Sequence, residues 1–167
     1  MHAHALSFLP ADSRGLPAAL AEVVKHAALT RGTHVVFDVS AGFPKLSEKV
    51  ETALLHFGAE ALFNAMQHAA HEPIYVELEQ GPFEVRLAIS DDGPGFDPND
   101  CGVAQNLRKV VEEIRAAGGD IIVHAAPGFG ATLVAVFGRP QGVPVSGRSG
   151  TAANDLISGP DSGRRDD

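Results

Sequence analysis

The sequence predicts an α+β two-layer sandwich: a mixed, mostly antiparallel sheet covered on one face by helices. Three observations carry that expectation. One long segment, residues 48–71, has a wide apolar stripe at helical spacing. Two adjacent segments alternate apolar and polar residues with a period of two. The order helix, strand, helix, two strands, helix, two strands closes as one helical layer against one sheet. With 167 residues, 44% of them hydrophobic, the chain can bury one core and is hardly long enough for two domains.

The elements follow in turn. Residues 1–14 are mixed and uninformative. Residues 16–30 read as a helix: Pro17 suits a first turn, Leu20, Val23, Val24 and Ala27 form a stripe, and Gly32 lies just past the end. This helix either caps the domain or is the stump of something longer. HVVFDV at 34–39 is a strand broken by Gly42 and Pro44. Ser47 then stands at a cap position, with Glu48 and Glu51 at the positive end of the long helix and Pro73 beyond it. IYVELEQ and FEVRLAIS are the alternating strands, joined through Gly81-Pro82. Val103, Leu107, Val110, Val111 and Ile114 mark another helix, closed by Gly118-Gly119, and strands IIVHA and TLVAVF flank PGFGA. Residues 141–167 hold five Gly, two Pro and four Ser with few larger aliphatics, and read as a flexible tail. The domain expectation is a helical N-terminal segment over 1–31, a folded unit over 32–140 and the tail over 141–167.

Composition narrows the function classes. Thirteen basic against twenty-one acidic residues give a net charge of −8, which argues against broad nucleic-acid or anionic-membrane binding. A lone Cys101 excludes a disulfide framework and a cysteine zinc site. No stretch approaches the roughly eighteen uninterrupted apolar residues of a membrane span, and no leader pattern opens the chain, so a cytoplasmic location is expected.

Three segments have the residue types that chemistry needs. In DDGPG (91–95), Asp91 follows a strand and can accept a hydrogen bond from a ligand amine, while Gly93 and Gly95 allow close backbone approach; the plain alternative is an acidic turn. On the long helix Glu60, Asn64 and His68 recur every four residues and share a face, with His71 three further on. Glu60 and Asn64 are oxygen ligands suited to Mg²⁺, or Glu60 can orient or deprotonate a nucleophile. A zinc reading of Glu60, His68 and His71 lacks the usual short ligand spacing, and a solvated polar stripe is the bland alternative. In PGFGAT (127–132), Gly128 and Gly130 either serve a difficult hairpin or let backbone donors close on phosphate.

In this order the segments resemble the ATP-binding domain shared by sensor histidine kinases, gyrase B and the Hsp90 chaperones, a Bergerat-type fold. The likeness is closest to sensor kinases of the nitrate-sensor type and covers about residues 32–139. HFGAEALFNAMQHAA is similar to that family's N-box. The resemblance implies that Asn64 binds the Mg²⁺ bridging the phosphates, that Glu60 polarises the reacting group or holds the metal's water shell, and that His68 is a ligand-side residue. It implies that Asp91 takes the adenine amino group, that Gly93 and Gly95 shape the pocket floor, and that Gly128, Gly130 and Thr132 form the late glycine box, with Asp91 and Thr132 meeting adenine from different sides. ATP and Mg²⁺ are the implied cofactors.

Two departures stand out. The glycine segment expected before the second long helix falls on Ala104, Gln105, Asn106 and Leu107, where Asn106 is the remaining candidate for ligand contact and Gly102 a partial substitute; the lid after Phe96 is very short, and Gln67 replaces a cation common in the family. In addition, His2, His4, His26, His34 and His56 are none of them followed by an acid, and His71-Glu72 falls at the end of the N-box helix. The expected activity is therefore phosphorylation of a histidine or serine on a partner protein, in two-component or related signalling, as in the anti-sigma kinases of this fold. Whether the chain is an enzyme stays open, the alternative being an interaction protein that retains the fold without useful ATP chemistry. A dimer through the N-terminal helix is one assembly the sequence allows.

Overall fold

A computed structural model describes residues 15–68, 72–97 and 101–138, apart from the side chains of 101–106. These residues form α1 (Gly15–Arg31), β1 (Val35–Val39), α2 (Glu48–His68), β2 (Ile74–Gln80), β3 (Glu84–Asp91), α3 (Cys101–Ala116), β4 (Gly119–Ala125) and β5 (Ala131–Gly138). The five strands make one sheet in the order β1-β2-β3-β5-β4. Only the β1–β2 pair is parallel. The sheet is therefore mixed and mostly antiparallel, with helices packed on one face, in the Bergerat-type arrangement.

Alternation decides which face the helices cover. Ile74, Val76 and Leu78 of β2, Val85, Leu87 and Ile89 of β3, and Leu133, Ala135 and Phe137 of β5 are all buried. Their neighbours Tyr75, Glu77, Arg86 and Thr132 point to the other face. The helices meet the apolar face through Leu54, Phe57, Ala61 and Leu62 of α2 and Leu107, Val110 and Ile114 of α3. Gly119 opens β4 because the Phe137 ring packs 2.7 Å from where a Cβ would stand.

The core also reaches into α1. Leu16, Leu20 and Val24 are buried, and Leu20 approaches α2 where Gly58 carries no side chain; a Cβ there would meet Leu20 at 2.8 Å. The apolar stripe of α1 thus packs on the domain's own α2. Leu20→Ala is expected to lower stability by about 2–4 kcal/mol, the cost of a buried leucine cavity. A chemical denaturation midpoint equal to that of the parent chain would mean that α1 lies outside the cooperative unit.

One row of the sheet positions the site. Val35, Ile74, Asp91, Ala131 and Ala125 are successive partners across β1, β2, β3, β5 and β4. Since β1 and β2 are parallel, the intervening α2 must run back along the sheet, ending over the edge at which β2 begins. His68, the last residue of α2, therefore lies at the same end of the domain as Asp91. So does Arg31, which closes α1 four residues before β1 begins.

Candidate nucleotide-type site at the end of β3

The long helix is set by its first turn. The Val50 N–H donates to Ser47 Oγ at 3.4 Å, and the Leu46 N–H donates to Glu51 Oε1 at 3.2 Å, so both residues serve as caps. α3 lies across the first half of α2. Lys49 Nζ donates to the Ala116 carbonyl at 2.6 Å, near the negative end of α3, and His56 Nδ1 stands 3.0 Å from Glu113 Oε2. The stripe bearing Lys49 and His56 continues at helical spacing to Glu60, Asn64 and His68. Beyond α3's footing it opens: Glu60 and Asn64 are half-buried and His68 is exposed. An open groove beside Lys49, Thr52, His56 and Glu113 lies along the first half of this stripe, at the other end of α2 from His68.

Asp91 is the one buried charged residue among those described, 9% exposed. Its Oδ1 accepts the Gly93 N–H at 3.0 Å, which fixes the carboxylate and leaves it further acceptor capacity. Burial pushes its pKa above the ordinary carboxylate value. The Gly93 hydrogen bond opposes that rise, Asp92 adds to it, and His68 draws it back down. His68 is thus within electrostatic reach of Asp91, so the end of the polar stripe and the acidic turn share one region.

The two glycine loops are stitched together by backbone. Gly128 N donates to the Pro94 carbonyl at 2.6 Å. Gly95 and Gly130 have φ of +62° and +73°. A Cβ on Gly95 would overlap the Ala126 carbonyl oxygen, and one on Gly130 would overlap the Asp91 carbonyl oxygen. These two glycines let the loops lie close enough to hold Asp91. Gly128, at φ +83°, has open space around it.

The expected site residues separate accordingly. Glu60, Asn64, His68, Asp91, Gly93 and Gly95 come to one end of the domain, with Gly128 and Gly130 behind them. Thr132 does not join Asp91. Asp91 is in register with Ala131 and Ser90 with Thr132, so strand alternation sends the threonine hydroxyl to the opposite face, on the same side as His124. Ala131 is the β5 residue beside Asp91. Counting strand parity back from Asp91 would have identified it, but only once the register was known. Asn106 lies in the first half of α3, and its side chain, like His71, falls outside the described residues. Among the described residues no group of three or more His, Cys, Asp or Glu could hold a metal ion unaided.

A mixed, mostly antiparallel sheet with helices on one face and an acidic glycine turn at the end of β3 is the arrangement of the ATPase-type folds. The chain belongs to the histidine kinase-, DNA gyrase B- and HSP90-like ATPase family, whose model matches residues 49–141, more than half of its length. It is 29% identical over 139 residues to the sensor histidine kinase MctS of Rhizobium johnstonii, covering 81% of this chain and 30% of that protein. It is 27% identical over 124 residues to the histidine-protein kinase/phosphatase DegS of Brevibacillus brevis, covering 74% and 32%. The chain thus spans about a third of the length of these relatives. Among solved structures, the histidine kinase domain of the Erythrobacter litoralis blue-light activated kinase superposes with a TM-score of 0.63 at 21% identity, over 74% of this chain and 60% of that one. Full-length ShkA in complex with AMPPNP gives 0.60 at 24% identity, over 79% and 31%. These two likenesses concern the fold. No helix among the described residues is long and apolar enough to cross a membrane.

Proposed function

We propose that this chain is an ATP·Mg²⁺-binding catalytic domain of the sensor-kinase type, close to the nitrate-sensor branch, that phosphorylates a residue on a partner protein in the cytoplasm. The observation that carries the reading is the buried, Gly93-held carboxylate of Asp91 within reach of the α2 stripe that ends at His68. A buried, fixed acceptor suits the exocyclic amine of adenine. ShkA, similar in fold, is described in complex with an ATP analogue.

The residues present fit the implied metal. Asn64 offers a half-buried carbonyl oxygen and Glu60, one turn earlier, a half-buried carboxylate. Mg²⁺ commonly takes one or two such protein oxygens, with phosphates and water completing the octahedron. When bound, it neutralises charge on the phosphates. Asn64 holds that region in place while Asp91 fixes the base, so catalysis rests on positioning. Glu60 accepts the proton of the incoming acceptor, a histidine or a serine supplied in trans, as its bond to the γ-phosphorus forms and the bond to the ADP oxygen breaks.

A second reading, an interaction module without turnover, is favoured by Ala104 and Asn106 where glycines are expected. Glu60→Gln separates the two. It is expected to reduce phosphoryl transfer by about a hundredfold, the usual share of a general base, while leaving the ATP dissociation constant within about twofold. Equal losses of transfer and binding would remove Glu60 from the chemistry. Absence of transfer in the parent chain, with ATP bound, would favour the second reading.

A further inference from the structure

The nucleotide reading leaves a charge unaccounted for. A triphosphate retains negative charge after one Mg²⁺ binds, yet residues 59–71, 91–107 and 126–132 contain no Lys or Arg. They contribute Glu60, Asp91, Asp92, Asp97 and Asp100 instead, so these segments are acidic before any ligand arrives. A cation must reach it from another element.

Most of the described cations are committed elsewhere. Arg86 pairs with Glu84, Arg108 with Glu112, Lys109 with Glu113 and Arg115 with Asp120, while Lys49 is tied to the end of α3. Arg31 is held differently. Its Cζ stands 5.4 Å from the centroid of the Phe63 ring, and Phe63 immediately precedes Asn64 on α2. An aromatic face orients a guanidinium without cancelling its charge, and leaves its in-plane N–H donors available to an anion. The row Val35–Ile74–Asp91 puts the end of α1 at the same end of the sheet as Asp91. Two strand spacings separate β1 from β3, about 10 Å. On the nucleotide reading, a triphosphate placed over Asn64 lies one residue along α2 from the Phe63 ring that holds Arg31.

We propose that Arg31 is the phosphate-binding cation of this site, delivered by α1, and that Phe63 is the residue that positions it. The assignment rests on the nucleotide reading and adds to it a residue outside all three motif segments. It gives α1 a second role besides filling the core: the helix carries positive charge to a site whose own segments have no Lys or Arg.

The test is a pair of titrations of the full chain, with Mg·ATP and with adenosine, for the parent and for Arg31→Ala, Arg31→Lys and Phe63→Leu. Arg31→Ala is expected to weaken Mg·ATP about tenfold or more, as for loss of a charge-assisted contact, with adenosine unchanged within about twofold. Arg31→Lys keeps the charge and loses less. Phe63→Leu weakens Mg·ATP alone, by roughly threefold, because the guanidinium is no longer held. The parent's Mg·ATP affinity falls more steeply with added salt than that of Arg31→Ala. If Arg31→Ala binds Mg·ATP like the parent, or loses both ligands in parallel, Arg31 is a structural clamp and the proposal fails. A parent chain that binds neither ligand overturns the nucleotide reading itself and this assignment with it.

Discussion

Asp91→Asn is expected to weaken Mg·ATP and adenosine alike by roughly 30- to 100-fold, while the protein itself becomes more stable at neutral pH. The first effect follows from polarity: the amide keeps an oxygen for the Gly93 N–H and turns an NH₂ toward the adenine amine, so an acceptor becomes a second donor. Loss of one charge-assisted hydrogen bond is worth about 2–3 kcal/mol, which is the stated factor in affinity. The second effect follows from the raised pKa. Because folding favours the protonated carboxyl, the contribution of Asp91 to stability is complete below the ordinary carboxylate pKa and is lost as pH rises through the raised value. Above that value the ionised, buried group opposes folding, and Asn removes the opposition. The parent's nucleotide affinity should fall on acidification at a higher pH than an ordinary carboxylate would give, since the protonated carboxyl has lost acceptor strength. Calorimetric titrations with thermal unfolding at pH 5 and pH 7.5 check both effects. A variant that is less stable than the parent at pH 7.5 and binds ATP normally would show that Asp91 has a packing role only.

Gly130→Ala is the second large effect, expected to act on the fold. At φ +73° an alanine is strained by about 1–2 kcal/mol. The added Cβ would also overlap the Asp91 carbonyl oxygen and stand 3.1 Å from the Asp92 Cα. Both are backbone atoms of the loop that carries the carboxylate, so no side-chain rotation relieves the contact. The sum is above about 3 kcal/mol, a fall in Tm of roughly 10 °C. Gly128→Ala is the internal control. Its φ is +83° but nothing lies within 4 Å of the new Cβ, so only the conformational cost of about 1 kcal/mol applies. Equal melting temperatures for the two variants would show that the loop stitching does not exist in solution.

Much of this architecture is legible in the amino-acid sequence because burial is written as a period. The alternation of β2 and β3, the width of the α2 stripe and the Ser47 cap each fix an element without knowledge of its neighbours. What stays hidden depends on partners far along the chain. The parallel pairing of β1 with β2 and the outer position of β4 cannot be derived from either strand alone. Thr132 illustrates the consequence: the glycine loop before it is recognisable, but which β5 residue stands beside Asp91 depends on a register that only the assembled sheet defines. The glycines show the same limit. DDGPG and PGFG announce that close backbone approaches are needed, and only the fold shows that they approach each other. Likewise the apolar stripe of α1 is plain, whereas its destination on α2 hinges on the missing side chain of Gly58.

Backbone amide NMR of the full chain, titrated with ATP in the presence and absence of Mg²⁺, reads the site residue by residue. Asn64 and Gly93 are expected to shift along one binding curve, Asn64 more strongly with Mg²⁺, while the groove beside Lys49 and His56 stays unchanged. Shifts confined to that groove, or none at millimolar nucleotide, would contradict a cleft shared by α2 and the Asp91 turn.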